Sequence, residues 1–332
     1  MKHPMNSKER AMNFYHHLPT DEVPTDKDIV VLFDPSAYEE RPPFVQAGTD
    51  WFGVKWIREE ELAAVCPDPT VKRVLKDIEE WRDYVIFPDL DAWDWNEKIK
   101  RDAEFLNSLD RENSCFCMMF LNGPFERLHM LMGFEDALCA LLVNIDEVKD
   151  FTHEFVTWKM KLMEYVKKYY NPDVLMVHDD WGTQNGMFFS PEVWRDIYKP
   201  EIKRMVDKCH ELGMIYEHHS CGNIELIVPE FPEIGIDSWQ GQEINDIPKL
   251  KKLTNGKLSF HCTPNYMEYE AAGLSGQMDE AAIRAKVDER FHKAAEGFCY
   301  STMMLPFGTW PTDVMKDEVA KISKTEYKDL WD

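Results

Sequence analysis

From residue 115 onward, short apolar runs alternate with longer amphipathic segments, and this alternation constrains the fold more than any other feature of the sequence. Short apolar runs bounded by turn residues predict β-strands. They occur at 28–33, 115–121, 173–178, 214–219, 236–240, 257–262 and 298–304, with a weaker run at 84–88. Strands that alternate with helices pair in parallel through right-handed crossovers. We therefore expect a parallel sheet whose strands are joined by helices.

The segments between the apolar runs have the spacing of helices. In 151–170, the side chains of Phe151, Phe155 and Leu162 fall on one helical stripe. The segment 192–212 carries a similar stripe and stops at Gly213, a residue type that commonly follows a helix. A third helix is predicted over 279–296. Roughly eight strands with helices between them indicate an α/β fold of the (β/α)8 TIM-barrel type.

No linker or low-complexity tract divides the 332 residues, so we expect one barrel domain over 1–332. Residues 1–110 are rich in proline, tryptophan and charge, and they predict an N-terminal extension together with the first barrel elements. Residues 111–332 then supply the remaining barrel. Neither of the phosphate-binding motifs G-x-G-x-x-G and G-x-x-x-x-G-K-[ST] follows a predicted strand, which argues against a nucleotide-binding fold.

The charge balance excludes one class of partner. The chain has 38 Lys and Arg against 61 Asp and Glu, a net charge of −23, which is the wrong sign for binding nucleic acid.

No apolar run approaches the ~20 residues that span a bilayer, and the start of the sequence does not look like a secretory signal. We expect a cytoplasmic protein whose eight cysteines are thiols, some of them metal ligands.

The strongest candidate site is the stretch 217–222, at the end of the run 214–219. Alternate residues of a strand share a face, so Glu217, His219 and Cys221 point the same way. Imidazole and thiolate are good zinc ligands, and Cys262 ends another predicted strand at the same barrel mouth. We predict a zinc site made by His219, Cys221 and Cys262. The alternative is that each is an ordinary core residue, which is the commoner role of a single buried cysteine or histidine.

The prediction leaves open whether His219 itself is the third zinc ligand beside the two cysteines. An acidic side chain could take the place of His219, and three are available near the expected barrel mouth: Asp179, Glu217 and Glu243.

A second candidate site is the polar stretch 178–186, directly after the run 173–178. Its acidic and amide groups could bind substrate, polarise a leaving group or support a metal ligand. We assign Asp180 and Gln184, together with Glu217, as catalytic candidates, and Trp181 and Asn185 as substrate-binding candidates. The alternative is a structural turn in which Asp180 caps the chain reversal.

The third candidate is the pair Trp239 and Gln240, at the end of the run 236–240. A tryptophan with nearby amides suits a flat aromatic ligand. A tryptophan packed under a loop explains the same residues equally well.

These stretches together resemble the superfamily of uroporphyrinogen decarboxylase and its corrinoid-dependent methyltransferase relatives. The resemblance covers nearly the whole chain and rests on the segments 48–56, 179–186, 190–192, 199–200, 219–223 and 234–237. It implies the same (β/α)8 barrel that the strand pattern predicts.

Members of this superfamily divide by their chemistry. The decarboxylases hold the carboxylates of a porphyrinogen with an arginine-rich N-terminal segment, whereas 33–40 of this chain has several acids and no arginine. The zinc methyltransferases carry a His-x-Cys pair, matched by His219 and Cys221, and a second cysteine late in the chain. Met304 stands where the coenzyme M type has that cysteine, and Cys262 lies on the preceding strand instead.

The resemblance therefore favours the first methyltransferase of anaerobic O-demethylase systems. Such an enzyme moves a methyl group from a methoxylated aromatic to the cob(I)alamin of a separate corrinoid protein. The chain lacks the Asp-x-His-x-x-Gly signature of many corrinoid-binding domains, so the cobalamin is expected on the partner. Rival interpretations are a methylcobalamin:thiol methyltransferase, a uroporphyrinogen decarboxylase-like enzyme and a noncatalytic ligand-binding barrel.

Overall fold

The computed structural model describes residues 4–37, 39–42, 46–59, 64–264, 266–303 and 308–328. Its strands are β1 Ile29–Leu32, β2 Gly48–Thr49, β3 Lys55–Glu59, β4 Ala64–Pro67, β5 Cys115–Phe120, β6 Val174–His178, β7 Gly182–Thr183, β8 Gly186–Met187, β9 Ile215–His219, β10 Ser238–Gln242, β11 Ser259–Thr263 and β12 Tyr300–Thr302. Its α-helices are α1 Ser7–Tyr15, α2 Trp81–Tyr84, α3 Trp95–Lys98, α4 Ala103–Ser108, α5 Pro124–Met132, α6 Phe134–Val143, α7 Ile145–Tyr169, α8 Pro191–Val193, α9 Lys199–Glu211, α10 Ile247–Thr254, α11 Tyr266–Leu274, α12 Glu280–Ala295 and α13 Trp310–Ile322.

The centre of the fold is a curled parallel sheet. Within the described residues it has seven strands in the order β1-β5-β6-β9-β10-β11-β12, and every neighbouring pair is parallel. Because strands that follow one another in this order are neighbours, the helices between them run back along the sheet as crossovers. The parallel α/β architecture is confirmed. Closure into an eight-stranded barrel is not seen in the part of the chain that the structure describes.

The two faces of the sheet pack against different partners. Alternate residues of β5 separate into an inner set with Cys115 and Cys117, and an outer set with Phe116 and Met118. The inner set packs with Phe14 and other residues of α1, and the outer set packs under the surrounding helices. The inner face therefore holds a separate core cluster, partly covered by α1.

The N-terminal part of the chain contains a structure that the sequence pattern did not predict. Strands β2, β3 and β4 form a small antiparallel sheet. Its first turn is fixed by Asp50, whose Oδ1 accepts the backbone N–H groups of Phe52 and Val54. On its other oxygen, Asp50 accepts a bond from Arg127 of α5 at 2.8 Å, and both side chains are fully buried. This ion pair joins the small sheet to α5.

The weak run at 84–88 is not a strand, and that prediction was wrong. Residues Trp81–Tyr84 form α2, and the chain then continues without pairing. The apolar side chains of 84–88 serve in packing instead. The ring centroid of Phe87 lies 5.9 Å from that of Phe52 and 6.2 Å from that of Trp158. Aromatic burial, rather than a strand ladder, explains this apolar run.

The predicted helices are present with small changes at their ends. The segment 151–170 corresponds to the later part of α7, which ends at Tyr169, and 279–296 corresponds to α12. The segment 192–212 is α8 and α9 joined by a wider π-turn over Trp194–Tyr198, directly before Pro200, which has no N–H to donate. Among the residues that the structure describes, no helix has the length and apolarity needed to cross a membrane.

Candidate metal centre

A cluster of potential metal ligands lies where β6 and β9 end. His178 is the last residue of β6 and His219 the last of β9, and the two are partners in the parallel ladder. Asp180 and Cys221 each follow two residues later, so they keep the same side of the chain. Two neighbouring strands therefore deliver four potential donors to one edge of the sheet.

The donor atoms of this cluster are close together. The imidazole rings of His178 and His219 stack with 4.3 Å between centroids. Nε2 of His219 lies 3.5 Å from Oδ1 of Asp180 and 3.4 Å from the sulfur of Cys221. One ligand atom from each of His178, Asp180 and His219 lies within 4.8 Å of the other two. That spacing suits the coordination of one ion.

The two loops that carry Asp180 and Cys221 touch through their backbones. Gly222 has φ +85°, and a Cβ added to it would overlap the carbonyl carbon of Gly182. Beside this crossing, the backbone N–H of Asn223 donates to the carbonyl of Thr183 at 2.7 Å, and that of Cys221 donates to Asp180 at 2.6 Å. Glycine at both positions is what lets the loops approach so closely.

Charge within the cluster is balanced by the histidines. Burial favours the neutral form of His219 and the neighbouring His178 repels its charge, but Cys221 and Asp180 outweigh both and raise its pKa to about 9. The pKa of His178 is also raised, because the carboxylates of Glu126 and Asp180 outweigh its burial. The pKa of Asp180 is lowered in spite of burial, since both imidazoles attract its charge. In both rings the neighbouring acidic groups thus favour the protonated form.

Each imidazole also contacts, through its Nδ1, a side chain outside the cluster. Nδ1 of His178 lies 2.9 Å from Oε2 of Glu126, which belongs to α5. Nδ1 of His219 contacts Oε1 of Gln240, on the neighbouring strand β10. Gln240, predicted to bind substrate, therefore contacts a member of the donor cluster directly.

The structure brings Cys221 to the cluster but not Cys262. Cys262 follows His261 on β11, and the two neighbouring side chains point to opposite faces of the sheet. His261 faces Glu217 on the inner side, whereas Cys262 is completely buried in the outer core with Phe260. Burial there raises the pKa of the Cys262 thiol well above its ordinary value. The predicted set of His219, Cys221 and Cys262 is not assembled, and His178 and Asp180 occupy the vicinity of His219 instead.

Glu217 and Asp179, considered as replacements for His219, make other bonds. Glu217 lies inside the sheet, where it accepts a bond from Ser238 at 2.8 Å and lies 3.2 Å from His261. Asp179 accepts the backbone N–H of Glu126 at 2.8 Å and so holds the first turn of α5. Burial and the charge of Glu126 raise the pKa of Asp179 well above its ordinary value.

Glu243, the third of these acidic residues, follows β10. It accepts a bond from the hydroxyl of Tyr300 at 2.6 Å.

The remaining predicted residues fall in two places. Gln184 and Asn185 form the exposed tip of the hairpin made by β7 and β8. Trp181 and Trp239 are completely buried in the outer core, where Trp181 stacks on His218 with 4.1 Å between centroids. The structure thus places neither tryptophan at the open edge of the cluster.

Sequence reasoning assigned no role to Arg41, Glu126 or His178, although His178 is the first residue of the predicted stretch 178–186. The position of His178 at the end of its apolar run, next to Asp179-Asp180, was a usable signal. No sequence pattern pointed to Glu126, because it reaches the site from α5, a helix of the preceding crossover. Arg41 follows directly after the arginine-free segment 33–40, and its own burial lowers its pKa while Glu126, Asp34 and Asp180 act to raise it. It also lines a cavity of about 420 Å³ near the end of β1, together with Ser36, Thr49 and Arg101.

The fold and the site together define a parallel α/β protein with a histidine and carboxylate cluster at the carboxyl edge of its sheet. The profile of the uroporphyrinogen decarboxylase family matches residues 68–299. The chain belongs to that family.

Two solved structures show a remote similarity to this chain. An archaeal fructose-1,6-bisphosphate aldolase with its catalytic lysine bound to the carbinolamine intermediate is 12% identical, with a TM-score of 0.31 over 48% of this chain and 61% of that one. A Schiff-base-forming fructose-1,6-bisphosphate aldolase is 11% identical, with a TM-score of 0.29 over 50% of this chain and 61% of that one. The chain thus spans about three fifths of each aldolase, and such scores carry no argument about its fold or function. No curated protein matches the sequence significantly.

Proposed function

We propose that this protein is a zinc-dependent methyltransferase that moves a methyl group from a methoxylated aromatic to the cob(I)alamin of a separate corrinoid protein. The observation that carries the proposal is the cluster of His178, Asp180 and His219 at the carboxyl edge of the sheet, with the thiol of Cys221 beside it. Membership of the uroporphyrinogen decarboxylase family is compatible with this chemistry. In the reaction the methyl carbon leaves the aryl oxygen, which keeps the bonding electron pair.

The donor set fits zinc. Two imidazole nitrogens and one carboxylate oxygen form a common three-residue zinc set, and the thiol of Cys221 adds a soft donor. Two histidines and one carboxylate also suit iron(II), but that arrangement does not usually include sulfur. A bound zinc ion would supply Lewis acidity to the ether oxygen, whose charge grows as the bond to carbon breaks.

The residues around the cluster have separate tasks in this proposal. Asp180 would supply the carboxylate oxygen of the donor set, and it fixes the loop of Cys221 through the backbone N–H that it accepts. Glu126 and Gln240 hold the far sides of the two rings. Arg41 supplies positive charge next to Asp180, at the cavity where an aromatic substrate would enter.

The first test is metal content and its dependence on the histidines. We expect the purified protein to hold about one zinc per chain, because the donors form one cluster. H178A and H219A should each lower zinc affinity at least tenfold, measured by competition with a chromophoric chelator. H153A, which removes an exposed histidine of α7, is the matched control and should bind zinc like the wild type. Unchanged zinc affinity in both cluster variants would contradict the proposed site.

The second test is methyl transfer itself. The protein, a reduced corrinoid protein and a panel of methoxylated aromatics should together give the spectral change from cob(I)alamin to methylcobalamin. The reaction should disappear on metal removal and return with zinc. Full activity of the metal-free protein would rule out a zinc mechanism. Methyl transfer only from methylcobalamin to thiols would favour the thiol methyltransferase instead.

A decarboxylase is a second candidate, and Arg41 is the observation that favours it. The absence of arginine from 33–40 argues against a polycarboxylate substrate, but Arg41 brings a guanidinium to the same site. Arginine binds carboxylates in a fixed, two-pronged geometry. Release of carbon dioxide from a carboxylated tetrapyrrole, unaffected by chelators and lost in R41M, would establish this activity in place of methyl transfer.

A further inference from the structure

Two side chains outside the donor cluster control the orientation of its imidazoles. Glu126 contacts Nδ1 of His178 at 2.9 Å, and Gln240 contacts Nδ1 of His219 through its side-chain oxygen. In His219 this leaves Nε2 towards the cluster, since Nε2 lies 3.5 Å from Oδ1 of Asp180. We propose that Glu126 and Gln240 are positioning residues that hold both histidines with Nε2 directed at the metal position. This inference rests on the proposed zinc site.

The chemistry of the two partners fixes where the ring protons are. A carboxylate can only accept a hydrogen bond, so Nδ1 of His178 must carry a proton to bond with Glu126. The side-chain oxygen of Gln240 is likewise an acceptor, and it requires a proton on Nδ1 of His219. When each ring carries a single proton, Nε2 therefore has the lone pair that a metal needs. Contacts of this kind are known to set both the tautomer and the angle of a metal-binding imidazole.

The backbone around Glu126 shows how its position is fixed. The carbonyl of His178 accepts the N–H of Gly123 at 2.6 Å, and Asp179 accepts the N–H of Glu126 at 2.8 Å. A Cβ added to Gly123 would overlap the side chain of Asp179. The end of β6 is thus bonded directly to the first turn of α5, and this turn carries Glu126 back to His178.

Gln240 is held in a different way. It is the ladder partner of His219 on one side and of His261 on the other, and only 1% of its surface is exposed. A buried side chain in the middle of a sheet has few alternative rotamers. The oxygen of Gln240 therefore stays beside His219. The two histidines are supported by different elements, a helix for His178 and a strand for His219.

The test compares zinc affinity and coordination in alanine and conservative variants of both residues. E126A and Q240A should each weaken zinc binding about 10- to 100-fold, the range known for such supporting contacts. E126Q and Q240E keep an acceptor oxygen, so they should recover at least part of the loss. The absorption bands of bound cobalt(II), which report ligand geometry, should change in the alanine variants and return towards the wild type in the conservative ones.

Two controls separate positioning from a general effect on the fold. E135A and Q277A remove exposed residues of the same types and should leave zinc affinity unchanged. The melting temperature of the metal-free protein should be similar in E126A, Q240A and the wild type. Wild-type zinc affinity in both alanine variants would overturn the inference, and so would a loss that E126Q and Q240E fail to recover. Wild-type protein that binds no metal would instead overturn the proposed function.

Discussion

At the scale of single residues, Gly222 has the strictest requirement in the site. Its φ of +85° disfavours any side chain, and in addition a Cβ would overlap the backbone of Gly182. The close contact with Gly182 is independent of the restriction on φ. It fixes the distance between the loop that carries Asp180 and the loop that carries Cys221, and so it bears on metal binding as well as on stability.

The substitution G222A separates these two effects. We expect it to lower the free energy of unfolding by about 3 kcal/mol or more and to weaken zinc binding, because the two loops must move apart. G213A is the matched control, since Gly213 has φ +69° and nothing lies within 4 Å of its added Cβ. It should cost only about 1–2 kcal/mol, the penalty of a left-handed conformation. Urea unfolding measures both values, and equal losses would refute the close-contact argument.

At this scale the sequence indicates which strand ends carry the candidate side chains, but it does not show which face of the strand each side chain takes. His219 and Cys221 follow one strand, and their alternation is visible in the sequence. Cys262 was expected on the same face of the sheet as His219. In the structure His261 takes the inner face of β11 and Cys262 takes the outer one. A shift of one residue reverses the face of every side chain in a strand. Sequence alone does not determine that register.

At the scale of secondary-structure elements, α9 is joined to β10 through a histidine. His210, in the last turn of α9, lies 2.7 Å from the carboxylate of Asp237, the residue before β10. Asp237 also accepts the backbone N–H of Tyr216 in β9 at 2.8 Å. The bond to Asp237 raises the pKa of His210, with burial opposing it. The helix is therefore held most firmly when this imidazole is protonated.

This bond should make stability depend on pH. A histidine whose pKa is raised by folding stabilises the protein below its unfolded pKa, and the contribution is lost as the pH rises through the folded pKa. H210Q should therefore destabilise more at pH 6 than at pH 9, by less than about 1 kcal/mol because solvent screens a half-exposed pair. Thermal unfolding at both pH values measures the difference. In a D237N background the pH dependence of the H210Q effect should vanish, and its persistence would show that another group is responsible.

Helices and strands were predicted correctly where the spacing of the apolar residues and the length of the segment indicated the same type of element. The strand runs that follow residue 110 were correct because parallel strands buried on both faces are short and almost uniformly apolar. The small antiparallel sheet of β2, β3 and β4 was missed, since its strands are short and Asp50, which fixes its first turn, is itself held by Arg127 of α5. Tertiary contacts of that kind leave no periodic pattern in the sequence.

At the scale of the whole molecule, two fully buried ion pairs join the N-terminal segment to the sheet and its helices. Arg127 of α5 pairs with Asp50 at 2.8 Å, and Lys159 of α7 pairs with Glu40 at 2.7 Å. Arg127 and Asn122 also donate to the carbonyl oxygen of Glu40. These bonds fix the backbone one residue before Arg41, and they thereby link the N-terminal segment to the candidate site.

Removal of one partner from such a pair should be costly. R127M leaves the carboxylate of Asp50 buried with its main counter-charge removed, and we expect a loss of about 3–5 kcal/mol in the free energy of unfolding. R82M is the control, because Arg82 pairs with Glu147 and Asp150 at the surface, where solvent screens the charges, so its loss should be far smaller. Urea denaturation of both variants gives the comparison. Similar small losses in the two would show that the buried pair is not a structural link.

The donor cluster has a further consequence at this scale. His178, Asp180, His219 and Cys221 all belong to a single strand–helix–strand crossover, which begins with β6 and ends just after β9. Glu126 and Gln240 come from its two flanks. Transplanted alone into another parallel sheet, this crossover would carry all four potential donors without the two side chains that contact their imidazoles. Ion selectivity would then have to be rebuilt from whatever neighbours the new host provides.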